Sequence, residues 1–167
     1  MIATAHQSPL TAGDWRLGAW RSFLRTHNHL LRRLGQDLQA NHKVGLASYD
    51  VLVQLAEAPG HRLRMSDLAD AVLLSRSGLT RLVDRLQGEG LVERQPDPQD
   101  ARGLYTVLTT QGLDALRDAS GVHLAGIAEL VVQRLTDSEL RQLRELMDKL
   151  DPQPSEAEPP DHACGIS

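Results

Sequence analysis

A chain of 167 residues with a formal net charge of −4 and a single cysteine is long enough for one domain with its own core, and it excludes an internal disulfide framework. Aromatic residues make up only 3%, which is compatible with a helical protein packed by leucine and alanine. No apolar run approaches the roughly 20 residues needed to cross a bilayer, and Met1 to Gly13 has neither the basic start nor the apolar block of a signal peptide, so a cytoplasmic protein is expected.

Residues 1–13 are expected to be a flexible arm. From Leu17 the positions Leu17, Trp20, Leu24, His27, Leu31, Leu34 and Leu38 recur in steps of three and four, a coiled-coil-like seam on one long helix. A second helix begins near Ser48-Tyr49-Asp50. A third is expected to open with Ser66 as its cap and Asp67 in its first turn, and to give Leu68, Ala69 and Val72 to a small core. In the next segment Leu79, Leu82, Val83 and Leu86 fall at i, i+3, i+4 and i+7, so one stripe faces a core and the opposite face is left free. Ser75 stands where an N-cap belongs, and Gly88 and Gly90 where the helix stops.

The free face of that fourth helix carries Arg76, Ser77, Thr80, Arg81 and Arg85, side chains that reach guanine edges and phosphate oxygens. Two strand-like runs follow, Leu91 to Gln95 and Gly103 to Thr109, with Pro96-Asp97-Pro98-Gln99-Asp100-Ala101-Arg102 between them. Two prolines stiffen this tip. An arginine held at the end of a rigid loop suits a narrow minor groove, where the negative potential is strongest. Asp100 is expected to fix an arginine, either Arg102 or Arg94 on the neighbouring strand, in a bidentate pair.

After Gly112, Leu113, Leu116, Leu124, Ile127, Val131 and Leu135 form another apolar stripe. Thr136-Asp137-Ser138-Glu139 reads as a capping box, opening a last helix that bears Leu140, Leu143, Met147 and Leu150. Apolar-striped helices on both sides of an arginine-studded lobe suggest a dimer whose ends pack together and whose middle faces outward. Two such lobes would read a pseudo-palindrome with half-sites about 34–36 Å apart. The Pro- and acid-rich stretch 151–167, which holds Cys164, reads as a disordered tail.

Residues Ser66 to Thr109 resemble the DNA-binding lobe of the MarR family of bacterial transcription regulators. The most specific match is the wing stretch Asp97 to Arg102 with its Asp-x-Arg, followed by Leu108-Thr109-Thr110-Gln111-Gly112 as the exit into a long helix. The resemblance implies that Arg102 enters the minor groove, that Asp100 orients the wing and that the helix from Arg76 lies in the major groove. The fold expected is mainly α (α+β), a winged helix-turn-helix over 48–109 inserted between dimerisation helices over 14–47 and 110–150. The DNA-binding set is Ser66, Ser75, Arg76, Ser77, Thr80, Arg81, Arg85, Arg94, Asp100 and Arg102. Its partners are double-stranded DNA with a pseudo-palindromic operator, a second copy of the chain and a small-molecule effector, with no membrane.

Regulators of the resembled family commonly respond to small phenolic or aromatic acids. Here Trp20 and His27 offer an aromatic surface with a polar handle, Arg16 stands one turn earlier to meet a carboxylate, and Tyr49 opens the second helix. Trp20 as ordinary dimer core is the competing reading. No Gly-rich phosphate loop, HExxH or CxxC pair is present, and the seven histidines are dispersed; no enzyme, metal or cofactor is expected.

Charge bears on the DNA reading. Residues 62–102 hold seven arginines and seven acids, so the lobe has no basic surplus, and a DNA face depends on Asp84, Glu89 and Glu93 turning coreward or pairing with arginines. The alternative function is a winged-helix protein-interaction module without DNA reading.

Overall fold

The structure, a computed structural model, describes residues 10–42, 44–72, 74–97 and 100–150, and of Ala101 and Arg102 the backbone only. Among the described residues, six α-helices and three strands run in the order α1 (Leu17–His42), α2 (Leu46–Glu57), β1 (Arg62–Arg64), α3 (Met65–Ala71), α4 (Arg76–Gly88), β2 (Val92–Asp97), β3 (Asp100–Leu108), α5 (Thr110–Leu130) and α6 (Asp137–Asp148). Of the expected arm over 1–13, residues 1–9 lie outside the described residues, as does the tail over 151–167, Cys164 included. Two compact units divide at Gly126 and Ile127, inside α5.

The first unit carries the core. Leu38 of α1, Val51, Leu52 and Leu55 of α2, Leu68 of α3, and Leu79, Val83 and Leu86 of α4 are fully buried, closed by Leu91, Val92 and Leu108 from the hairpin and Leu116 and Ala119 from α5. The i, i+3, i+4, i+7 stripe of α4 therefore faces inward as its spacing predicts. Ser75 caps α4, its hydroxyl accepting from the Gly78 amide at 3.2 Å, and the chain turns away at Gly90, whose φ of 75° is costly for residues with a Cβ.

The sheet is antiparallel in the order β1-β3-β2. Its short strand β1 was not foreseen, because three residues are too few for an alternation to show. Both hairpin strands run further than expected: β2 extends through Pro96 to Asp97, and β3 starts at Asp100. Pro96 is tolerated because β2 is an edge strand, where a missing N–H breaks no ladder on its outer side. The register slips between Pro96 and Asp97, and the tip residues Pro98 and Gln99 lie outside the described residues.

Two expectations for the helices need correction. Ser66 does not cap α3: the helix starts at Met65 directly from β1, Arg64 holds the cap position without a side-chain bond, and the Ser66 hydroxyl donates to Asp67 Oδ1 at 3.0 Å. The stripe from Leu113 to Leu135 is not one helix face. The α5 helix ends at Leu130 and a 3-10 turn covers Val132–Arg134; Leu124 is exposed, and small residues, Ala119 and Gly126, fill buried positions instead.

At the start of α5 the Thr109 hydroxyl accepts from the Gly112 amide at 3.0 Å and lies against the carbonyls of Gly90, at 2.7 Å, and Leu91, at 3.0 Å. In the second unit Thr136 and Glu139 form the expected capping box of α6, satisfying two amides that the helix leaves without intrahelical partners. No described helix is long and apolar enough to cross a membrane.

Candidate nucleic-acid interface

Helix α4 presents Arg76, Ser77, Thr80 and Arg81 on its exposed side, opposite the buried leucines. Arg76 has no carboxylate at ion-pair distance among the described residues. Thr80 turns its hydroxyl back to the Arg76 carbonyl at 2.9 Å, and Arg81 Nε donates to the Ser77 carbonyl at 3.4 Å. Ser75 and Ser66 are also exposed, each engaged locally by the bonds already given.

Two arginines of the expected set are committed to the protein. Arg85 donates from Nη2 to the hydroxyl of buried Ser48 on α2 at 2.7 Å, with Glu89 at 3.8 Å. Arg94 on β2 pairs with Asp84 at 2.7 Å and donates to Gln87 Oε1 at 3.1 Å, so it braces the hairpin against α4. The expected pairing of Asp100 with Arg94 is thus corrected: Asp100 stands 4.0 Å from Arg64, a residue the sequence reading did not select. The Arg102 side chain, the other partner considered, lies outside what is described.

Arg64 organises the wing root. Its guanidinium pairs with Asp97, whose side chain is only 2% exposed, and lies over the Tyr105 ring at 5.8 Å, with Arg62 over the same ring at 4.9 Å. A hydrogen bond to Tyr105, followed by the charges of Asp97 and Asp100, holds the Arg64 pKa above its ordinary value. Gly103 completes the corner: a Cβ there would come within 2.9 Å of Asp97 Cβ and 3.2 Å of the Asp100 carbonyl. Some acids of the lobe are therefore offset by placement. Asp97, Asp84 and Glu89 each lie beside an arginine, while Glu93 accepts from Gln95 at 2.6 Å.

The residues considered for a ligand fall into two groupings. On α1, Trp20 stacks on Phe23 at 5.9 Å and Phe23 on His27 at 6.1 Å, an exposed aromatic row in which Phe23 was missed by the sequence reading. Arg16, just before α1, is paired with Asp14. Tyr49 instead is buried on α2, packs on His123 of α5 at 4.4 Å and reaches Ser120 Oγ at 3.3 Å. Among the described residues, no group of three His, Cys, Asp or Glu is arranged to hold a metal ion.

His123 was overlooked because a lone histidine in an apolar stripe carries no motif. Its Nδ1 is buried without a hydrogen-bond partner among the described residues, and burial holds its pKa below the ordinary histidine value, against the attraction of Asp50. Asp50 is shifted upward by its own burial, against the pull of His123. The unfolded chain takes up the histidine proton near the ordinary value of 6.5 while the folded chain resists it, so stability is lost as pH falls through that range. Asp50 acts in the opposite sense, its contribution being lost as pH rises through the lower carboxylate range. Thermal unfolding between about pH 7.5 and pH 5.5 should show a steeper loss of Tm for the wild type than for His123→Gln; parallel slopes would refute this.

Residues 42–103 match the MarR family pattern. The transcriptional repressor MprA of Escherichia coli K12 is 34% identical over 67 residues, 40% of this chain and 38% of the repressor, so the matched stretch spans well under half of that relative. Solved structures match over much more. AbsC, a MarR family transcriptional regulator from Streptomyces coelicolor, is 33% identical, with 86% of this chain and 95% of that chain covered and a TM-score of 0.77. Sco3205, a MarR family regulator of the same organism solved in complex with DNA, is 34% identical, with 87% and 96% covered and a TM-score of 0.77. These relatives are transcriptional regulators, and with the family pattern matched over residues 42–103 and the two solved structures matched in sequence and in fold along nearly their whole length, the chain belongs to the MarR family.

Proposed function

We propose that this protein is a homodimeric, sequence-specific double-stranded DNA-binding transcription regulator of the cytoplasm, acting as a repressor that a small aromatic or phenolic acid releases. The observation that carries the DNA reading is the exposed Arg76, Ser77, Thr80 and Arg81 face of α4, together with a wing whose buried acid is neutralised by Arg64. A relative of similar fold solved on DNA supports it. Support for a dimer comes from apolar side chains without cover in the single chain, Trp20, Phe23, Leu24 and Leu31 on α1, and Leu143 and Leu146 on α6, since such surface is normally buried against a partner. The stacked row of Trp20, Phe23 and His27 supports an aromatic effector.

Selecting bound duplexes from a random pool tests this reading. The expected result is a pseudo-palindrome whose half-sites lie about 34–36 Å apart; recovery of no sequence above the input pool would overturn it. On the selected duplex, Arg102→Ala should weaken binding by about 1–3 kcal/mol if that arginine reads the minor groove. Titrating salicylate-like acids against the complex should release the DNA. An acid series that gives neither release nor thermal stabilisation of the protein would remove the effector from the reading.

A further inference from the structure

Between α3 and α4 lies an open concavity of about 250 Å³ lined by Met65, Ser66, Arg76, Leu79 and Thr80. We infer that it is a pocket for the 5-methyl group of a thymine in the major groove, with Thr80 as the specificity-determining residue; this rests on the DNA reading above.

The lining is more apolar than its residue names suggest. Leu79, which lines it, is fully buried. The Met65 sulfur accepts the hydroxyl of buried Thr106 at 3.1 Å, which ties this lining thioether to the sheet. Thr80 has its hydroxyl turned onto the Arg76 carbonyl, so what it offers the concavity is its methyl. The Ser66 hydroxyl is spent on Asp67. With both hydroxyl protons donated within the protein, the donor left to meet a ligand is the Arg76 guanidinium, suited to a guanine edge or a phosphate beside the methyl-bearing base. An apolar lining with one cationic edge fits thymine, whose methyl distinguishes it from cytosine in the major groove. Cytosine carries a hydrogen where thymine carries this methyl, and would leave the apolar part of the lining without that contact.

The test uses the full chain and the duplex selected from the random pool, with each thymine replaced in turn by deoxyuridine, which deletes only the methyl. One thymine in each half-site should show a loss of about fourfold in affinity, the effect of one buried carbon at ~0.8 kcal/mol. Thr80→Ser keeps the bond to the Arg76 carbonyl and removes the methyl, so its deoxyuridine penalty at that position should shrink below about twofold, whereas Thr80→Val should retain it. If no thymine is sensitive, the pocket assignment is wrong while DNA reading stands. A penalty that Thr80→Ser leaves unchanged places the methyl elsewhere and equally overturns it. Failure to select any duplex overturns the DNA reading and this inference with it.

Discussion

Replacing Gly112 by alanine is expected to destabilise the fold by about 3 kcal/mol, at the upper end of what overpacking costs, even though alanine is the better helix former. The reason is a backbone contact. A Cβ at 112 would lie 2.0 Å from the Leu91 carbonyl oxygen and 2.8 Å from a Leu108 methyl. That carbonyl cannot retreat cheaply, because it accepts the Thr109 amide at 3.1 Å and its position sets where the hairpin leaves the core. Gly121, in the same helix, meets nothing within 4 Å, so Gly121→Ala should stabilise by up to about 1 kcal/mol. Urea midpoints at unchanged slope would measure both. Changes of the same sign at the two positions would contradict the packing described at the start of α5.

Arg64→Ala is the second large effect. It strips the arginine from a carboxylate whose side chain is 2% exposed, and breaking a buried pair from one side costs about 3–5 kcal/mol. Arg64 itself is 39% exposed, so solvent screens part of the loss, and a destabilisation smaller than that range is expected. Arg64→Ala combined with Asp97→Ala should recover part of that stability, since the buried carboxylate that Arg64 neutralised is then gone as well. Thermal unfolding of the four proteins gives the coupling; strictly additive effects would show that the pair contributes nothing to the wing root. Affinity for the selected duplex should fall in Arg64→Ala as well, through the altered wing rather than a lost phosphate contact. Its salt dependence should therefore stay close to that of the wild type.

Much of this lobe is legible in the letters, and the reasons differ by residue. Leu79, Leu82, Val83 and Leu86 announce their helix because burial on one face imposes a 3.6-residue period. Ser75 and the Thr136–Glu139 box announce helix starts because orphan amides need nearby oxygen acceptors. The Asp-x-Arg of the wing stands out by family resemblance. What escaped are features made by residues distant in sequence. The Arg64–Asp97 pair joins positions 33 apart, and no local pattern marks it. Strand β1 is defined by its register with Thr106 and its neighbours, not by its own three residues. Arg85 and Arg94 look like two more outward cations until Ser48 and Asp84 are seen to hold them. Ser66 has the residue type of a cap, but the strand leading into α3 puts the cap position at Arg64, two residues earlier.

The side chains of Ser48 and Tyr49 give α2 a mechanical meaning. Adjacent on one helix, they point about 100° apart; the first is held by Arg85 of α4 and the second by Ser120 and His123 of α5. The helix is thereby geared at neighbouring teeth to the element that would touch DNA and to the element that leads out of the lobe. By thermodynamic reciprocity, any stabilisation of one arrangement of α5 that this gearing carries to α4 must return with equal free energy when α4 is held first. Ser48→Ala, which frees one tooth and leaves the other engaged, should uncouple the two without removing a single group from the exposed face of α4.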